Sequence, residues 1–311
     1  MKEPVLVILA AGMGSRYGGL KQIDAVGSNG ESIIDFSIYD AIEAGFKRLF
    51  LIIRREHQEV FEESLVKKIR PFIEVEYCFQ DLDDIPAEFS VPKGREKPWG
   101  TTHALLAIRH QIDAPFMIIN ADDYYGKESY KVMYNFLTSD VSDQDYALVG
   151  YILENTLTDH GTVSRAVCEV SDGYLSEIVE RKTIAKIDGE VKYTEDGESW
   201  TSLAANSLVS MNYWGFTPKV IEYCTDIFTN FLRNNLENNP LTCEHVIPTA
   251  VGDMIGLDEV KVHMLSSKDR WFGITYQEDK PLVVDLLQKY KSEGKYPENL
   301  WKSNKNLSKN Y

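Results

Sequence analysis

The chain is expected to fold as an α/β protein, a mostly parallel sheet with helices on both faces. Three observations carry that expectation. The apolar runs at 5–9, 49–53 and 116–119 have the length and β-branched content of strands buried on both sides. Segments of helical period lie between them. A glycine-rich turn, LAAGMGSRYGGLKQ at 9–22, follows the first run, at the strand end where open parallel sheets bind ligands.

The elements follow in order. After the turn, Ser32-Ile33-Ile34-Asp35 has the form of a capping box, Ile34, Ile38 and Ile42 recur every fourth residue, and Gly45 is placed to stop the helix. A second strand covers 49–53. Residues 56–69 read as a helix ending before Pro71, and 73–79 alternates as a third strand. The stretch 81–99, rich in Pro, Asp and Gly, is a loop. A helix is expected over 101–110 and a fourth strand over 116–119. Repeated strand–helix–strand units imply the parallel sheet. Beyond 145 strands dominate: 146–152, then 165–179 folded at Asp172-Gly173, a hairpin signal. Residues 183–206 are polar and read as a surface insertion. A strand over 209–216, helices over 218–233 and 243–255, a strand over 261–265 and a helix over 281–292 complete the chain, before a polar tail at 294–311. We therefore expect one domain over 1–280, with the insertion near 183–206, and a C-terminal helix and tail over 281–311.

The glycines of the turn let backbone N–H groups crowd round an anion, and Arg16 and Lys21 add positive charge. A polyphosphate is the natural guest. No Gly-Lys-Ser/Thr closes the loop, and Arg16 or Tyr17 stands where a dinucleotide fingerprint needs a third glycine. By itself the pattern also suits an ordinary strand–loop–helix turn. The whole string, however, resembles the L-A-A-G-x-G-[ST]-R signature of the nucleotidyltransferases that build NDP-sugars, matched from Leu9 to Arg16 with Lys21 downstream. That resemblance implies a Rossmann-like, glycosyltransferase-A-like mixed sheet. It places Leu9, Ala11, Gly12, Gly14 and Ser15 around the nucleotide, Arg16 on the β- and γ-phosphates and Lys21 near the α-phosphate.

Two adjacent carboxylates, Asp122 and Asp123, follow the fourth strand. Such a pair suits Mg²⁺, which takes one or two protein carboxylates, although Asp and Asn also simply cap helices. The family's metal-binding Asp at this strand end matches Asp122. Gly100, Thr101 and Ala104 match its Gly-Thr-x-x-Ala element, where a helix N-terminus faces phosphates, and Gln80 matches a glutamine that meets the base. Gly161, Glu180, Arg181 and Lys182 resemble its acceptor elements, with Glu180 on hydroxyls and a cation on the acceptor phosphate. Two departures stand out: Arg181-Lys182 replaces the usual Lys-Pro, and Thr275 replaces a second metal-binding Asp, with Asp279 nearby.

The resemblance implies a Mg²⁺-dependent transfer of NMP from an NTP to a sugar 1-phosphate, giving NDP-sugar and pyrophosphate, with Arg16, Lys21 and Asp122 as catalytic groups. Related alternatives are a cytidylyltransferase acting on choline phosphate or an alditol phosphate, and a nucleotide-binding relative without turnover. A glycosyltransferase would not need cations at the glycine turn. A choline head would call for an aromatic box, for which Trp99, Trp200, Tyr213 and Trp214 are candidates. A glutamine facing the base suits a pyrimidine. With 33 basic and 48 acidic residues, the net charge of −15 disfavours nucleic acid as a partner. No apolar run approaches the roughly 20 residues of a membrane span. The four cysteines lack metal or disulfide spacing, which suits a cytoplasmic setting. Oligomeric state is not readable from the chain.

Overall fold

The computed structural model describes residues 2–12, 20–140, 142–158, 161–274 and 277–302. Four parallel strands form the first half of one sheet: β1 (Val5–Leu9), β2 (Arg48–Ile53), β3 (Glu74–Phe79) and β4 (Phe116–Asn120), in the spatial order β3-β2-β1-β4. Helix α1 (Ile33–Ala44) crosses from β1 to β2. A second crossover runs through α2 (Gln58–Phe61), a π-helical turn over Glu62–Val66 and α3 (Lys67–Ile69). The third, α4 (Thr101–Leu106), follows the long loop. The apolar runs are continuous because helices cover both faces: Leu6 and Ile8 of β1 pack into one core layer, Val5 and Val7 into the other. The capping box forms as expected, with Ser32 N–H donating to Asp35 Oδ2 at 2.8 Å, and Gly45 closes the helix at a φ of 122°.

After β4 come a short strand, β5 (Asp123–Tyr124), α5 (Lys127–Leu137) and β6 (Asp145–Ile152). Two long strands, β7 (Val163–Ser171) and β8 (Tyr174–Ile187), meet at Asp172-Gly173, both at positive φ as the tight turn requires. They are followed by β9 (Glu190–Tyr193), β10 (Thr201–Ser202), β11 (Leu208–Phe216), α6 (Val220–Asn235) and α7 (Ile247–Gly256). The last elements are β12 (Lys261–Ser266), β13 (Phe272–Gly273), which pairs β5, and α8 (Lys280–Ser292). Strand β11 runs antiparallel between β4 and β6, so the mixed sheet continues to β10 at its far edge, eleven strands among the described residues.

The fold departs from expectation in five places. Helix α4 stops at Leu106 rather than 110. Helix α7 starts at Ile247, where Pro248 fits the first turn, rather than at 243. Helix α5 was not foreseen. Residues 183–202 are no detached surface insertion: β8 runs on to Ile187, and Ile184 and Val191 are buried across a second Asp-Gly turn, Asp188-Gly189. Finally, residues 294–302 are not a solvated tail, because Tyr296 and Leu300 are buried against α1 and Trp301 donates to Asp35 Oδ1 at 2.7 Å. All four cysteines are buried and unbridged. Among the described residues no helix is long and apolar enough to cross a membrane.

Candidate active site

Adjacent parallel strands bring their carboxyl ends together, and β1 and β4 are adjacent. The turn after β1 and the acidic turn after β4 therefore meet. Lys21, in a single 3₁₀ turn over Lys21–Ile23, forms an ion pair with Asp122, and its Nζ donates to the Ile274 carbonyl at 3.3 Å. One ammonium thus joins the loops after β1, β4 and β13. Residues 13–19, which include Gly14, Ser15 and Arg16, lie outside the described residues, as do His160 and Thr275.

Gly12 stands at the mouth of the loop. A Cβ there would meet only Gln22 Nε2, at an ordinary 3.8 Å, so no described side chain dictates a glycine. The small residue keeps backbone exposed to a ligand. Gln22 itself is buried and donates to the Gly12 carbonyl at 2.8 Å, holding the end of the loop. Leu9 and Ala11 sit at the strand end, where Leu9 pairs with both Ile52 and Asn120.

Asp122 and Asp123 diverge. The Asp122 carboxylate is about one-fifth exposed and reaches the cavity. Asp123 is buried and receives Asn120 Nδ2 at 2.9 Å and the Tyr125 hydroxyl at 3.2 Å on Oδ2. Burial, and then the neighbouring Asp122 charge, pushes its carboxyl well above the usual carboxylate range. Gly273 makes room for the other oxygen, since a Cβ there would overlap Asp123 Oδ1. Asn120 is held in turn by Asn212, whose Nδ2 donates to Asn120 Oδ1 at 3.2 Å. Asn212 lies in a bulge of β11 at a φ of 61°, a conformation that Asn tolerates and most residues do not.

Asn120, Asp122, Asp123 and Asn212 line a cavity of about 230 Å³ between the acidic turn and the β7–β8 ladder, with Thr101, Trp271 and Pro248 also in its wall. Glu180 faces it. Ser164 Oγ hydrogen-bonds to Glu180, and burial raises the pKa of this carboxyl. The two cations beside Glu180 do not line the cavity. Arg181 pairs with Glu195 at 2.8 Å and lies over the Tyr193 ring at 4.3 Å, while Lys182 is exposed. Gly161 is exposed beside the undescribed pair 159–160, at a φ of 135°.

On the β3 side, Gln80 and Gly100 touch. Gln80 Nε2 donates to the Gly100 carbonyl at 3.0 Å and lies 3.3 Å from His103 Nδ1. His103 Nε2 is 2.8 Å from the Asp84 carbonyl, which can only accept, so the Nε2–H tautomer fits and Nδ1 accepts from Gln80. Burial holds His103 neutral by lowering its pKa. Both amide hydrogens of Gln80 are then used, and its Oε1 is left as an acceptor. Gly100 has a φ of 97°, and a Cβ would overlap the His245 carbonyl, so packing alone explains this glycine. Thr101 Oγ1 accepts the Ile247 N–H at 2.9 Å, tying α4 to α7. Tyr213 packs in one core layer, Trp99 and Trp214 are buried in the other, and Trp200 is exposed, so the four build no aromatic box.

Three residues at the centre of the site receive no binding role from the sequence: Asn120, Asn212 and Arg165. Asn120 stands with the acidic turn, where the sequence offers it only as a helix cap; the other two carry no motif.

The nucleotidyl transferase family model matches residues 5–248. No curated protein matches the chain. Among solved structures, the inositol-1-phosphate CTP transferase from T. maritima aligns with a TM-score of 0.59 at 12% identity, covering 92% of this chain and 96% of that one. A UDP-glucose pyrophosphorylase complexed with UDP-glucose aligns with a TM-score of 0.58 at 15% identity, covering 93% and 99%. At these identities the likeness is one of fold.

Proposed function

Because the chain belongs to the nucleotidyl transferase family, we propose that it transfers the NMP of an NTP to a sugar 1-phosphate, releasing pyrophosphate. The observation that carries this reading is the meeting of Lys21 with Asp122 and the Ile274 carbonyl, beside a cavity that Glu180 also lines. A nucleotide on the glycine turn would present its α-phosphate to Lys21, and the cavity would hold the acceptor. The two solved structures named above act on an inositol phosphate and contain a glucose nucleotide, so a phosphorylated cyclic polyol is the closest alternative acceptor.

The acceptor phosphate is already an anionic nucleophile, so the transfer needs alignment and charge neutralisation rather than a general base. In-line attack joins an acceptor oxygen to the α-phosphorus and breaks its bond to the β-bridging oxygen, which leaves on pyrophosphate. Lys21 would neutralise charge gathering at the α-phosphate, and Arg16 would hold the β- and γ-phosphates. Glu180 would accept hydrogen bonds from acceptor hydroxyls. The Gln80 amide, with only its oxygen free, would accept from a base N–H.

The donor set fits Mg²⁺ held largely by substrate. Asp122 offers a partly exposed carboxylate, Asp123 is committed to Asn120 and Tyr125, and no group of three metal-ligating side chains occurs among the described residues. Asp122 would hold the ion, which supplies Lewis-acid neutralisation of phosphate oxygens.

Pyrophosphate release tests the reading, with Mg²⁺, five nucleoside triphosphates and a panel of sugar 1-phosphates, inositol phosphate, choline phosphate and alditol phosphates. Release that requires both an NTP and a sugar 1-phosphate is expected. NTP binding without release across the panel would sink the assignment and leave a nucleotide-binding relative.

A further inference from the structure

Arginines 165 and 181 stand directly opposite each other in the β7–β8 register. Like charges in that relation repel, and an anion beside either one relieves the repulsion. Arg181 has Glu195. Arg165 has none within ion-pair distance: the charges of Asp123 and Glu180 act on it, yet neither carboxylate makes an ion pair with it among the described residues. Its guanidinium donates to Thr156 Oγ1 at 3.1 Å, to the Thr156 carbonyl at 2.6 Å and to the Ser164 carbonyl at 2.7 Å. Those contacts use three of its five N–H groups. The Trp271 ring, 5.1 Å away, fixes one side of the plane. Burial lowers its pKa to about 10, which leaves it charged at neutral pH.

Arg165 also occupies a junction. It lines the 230 Å³ cavity with Asp122 and Glu180, and a second cavity of about 180 Å³ with Thr158, Trp271 and Asp279. The β7–β8 register shifts here, with the extra residue on β8 between Arg181 and Ile184, and Ser164, Arg165 and Ala166 all line the first cavity. The local chemistry is that of a planar cation, oriented by neutral oxygens, lining a ligand-sized space and, among the described residues, without a carboxylate in ion-pair contact. Such a fork matches the oxygens of a phosphate, to which arginine binds with two parallel hydrogen bonds.

We propose that Arg165 is the residue that binds the phosphomonoester of the acceptor, a role the sequence motifs placed on Arg181 or Lys182. The proposal rests on the nucleotidyltransfer reading for the identity of the ligand, not for the existence of the anion site. The phosphate lies between Arg165 and the Lys21–Asp122 contact, with the acceptor's hydroxyls toward Glu180. The guanidinium is a binding and orienting group; it exchanges no proton.

The test has two arms. In the first, steady-state kinetics compare wild type with Arg165→Gln and Arg165→Lys for the acceptor found in the panel. Loss of two charge-assisted hydrogen bonds is expected to raise the acceptor KM on the order of 10²-fold. The NTP KM should stay within about twofold, and Lys should recover part of the loss. A fall in kcat with both KM values unchanged would assign Arg165 to holding Thr156 instead and overturn the proposal. The second arm needs no turnover. In ¹⁵N-labelled protein, the Nε–H signal that disappears in Arg165→Gln identifies this arginine, and titration with inorganic phosphate and glucose 1-phosphate should move it. An unmoved signal at saturating phosphomonoester overturns the proposal even in an active enzyme. A shift in a protein silent across the panel supports the anion site and removes only the nucleotidyltransfer reading.

Discussion

Asp40 makes the acid–base behaviour of the fold predictable. It lies on α1 with 1% of its surface exposed, accepts the Tyr296 hydroxyl at 2.6 Å on Oδ2, and has no hydrogen-bond partner on Oδ1 among the described residues. Burial raises its pKa from 3.8 to about 7, against the opposing hydrogen bond from Tyr296 and the charges of Lys127 and Lys295; Asp269 adds to the rise. Unfolded, the carboxyl ionises near 3.8; folded, it holds its proton until about 7. Between those values the native state binds more protons than the unfolded one, so stability falls as pH rises, by about 1.4 kcal/mol per pH unit. From pH 5 to pH 8 this group costs about 3 kcal/mol, with no further loss above its folded pKa. Asp40→Asn removes the titration and keeps an oxygen for Tyr296. Urea unfolding of both proteins at pH 5 and pH 8 measures the effect, because the titrations of all other groups cancel in the comparison. Wild type should lose about 3 kcal/mol relative to the variant across that range. Parallel pH profiles would refute the reasoning, meaning either that Asp40 stays ionised in the fold or that water reaches it.

Three further outcomes are expected. Lys21→Ala should lower kcat by ~10²–10³ with little change in unfolding midpoint, since the lost group is a preorganised charge and its partner Asp122 is partly solvated; near-normal turnover would take Lys21 out of the chemistry. Asp122→Asn should shift the Mg²⁺ titration of the rate to higher concentrations, and an unchanged curve would place the ion elsewhere. Lys291 forms an ion pair with Glu31 at 2.8 Å, the two side chains 1% and 3% exposed. Lys291→Met strands a buried carboxylate and should cost about 3–5 kcal/mol in urea, with part returned by adding Glu31→Gln; equal stability of the single variant would contradict this.

What could be read from the sequence was what local pattern decides. Strands β1, β2 and β4 are uninterrupted apolar runs because both faces are covered, and Ser32 and Gly45 mark α1 through backbone geometry alone. The meeting of the glycine turn and the acidic turn followed from strand order, since both lie at carboxyl ends of a parallel sheet. Helix α5 was hidden because its buried residues Tyr130, Met133 and Leu137 are spaced among Lys, Glu, Ser and Asn. Its stripe is one-sided and thin. The hairpin at Asp188-Gly189 repeats the signal at Asp172-Gly173, but charged residues flank it and mask the alternation of Ile184 and Val191. Tyr296, Leu300 and Trp301 carry no period; their burial depends on α1, more than 250 positions away, and no local rule reports it. Arg165 carries no local signal for a related reason: its place depends on the pairing of β7 with β8 and on Thr156, whereas the family motif points to the cations after Glu180.

The C-terminal segment holds more than α1. Lys280 bonds Asp24 at 2.7 Å, Lys291 holds Glu31, and Asn29 Nδ2 donates to the Glu298 carbonyl at 2.6 Å. These three contacts fasten the stretch 24–31, which begins three residues after Lys21, and every anchor lies beyond residue 248, where the family match stops. Translation proceeds in the opposite order. The stretch 24–31 leaves the ribosome some 250 residues before its fasteners. Strands β1 to β11 can therefore pair before the segment that fastens residues 24–31 exists, and the stretch beside Lys21 is pinned only when the C-terminal segment docks.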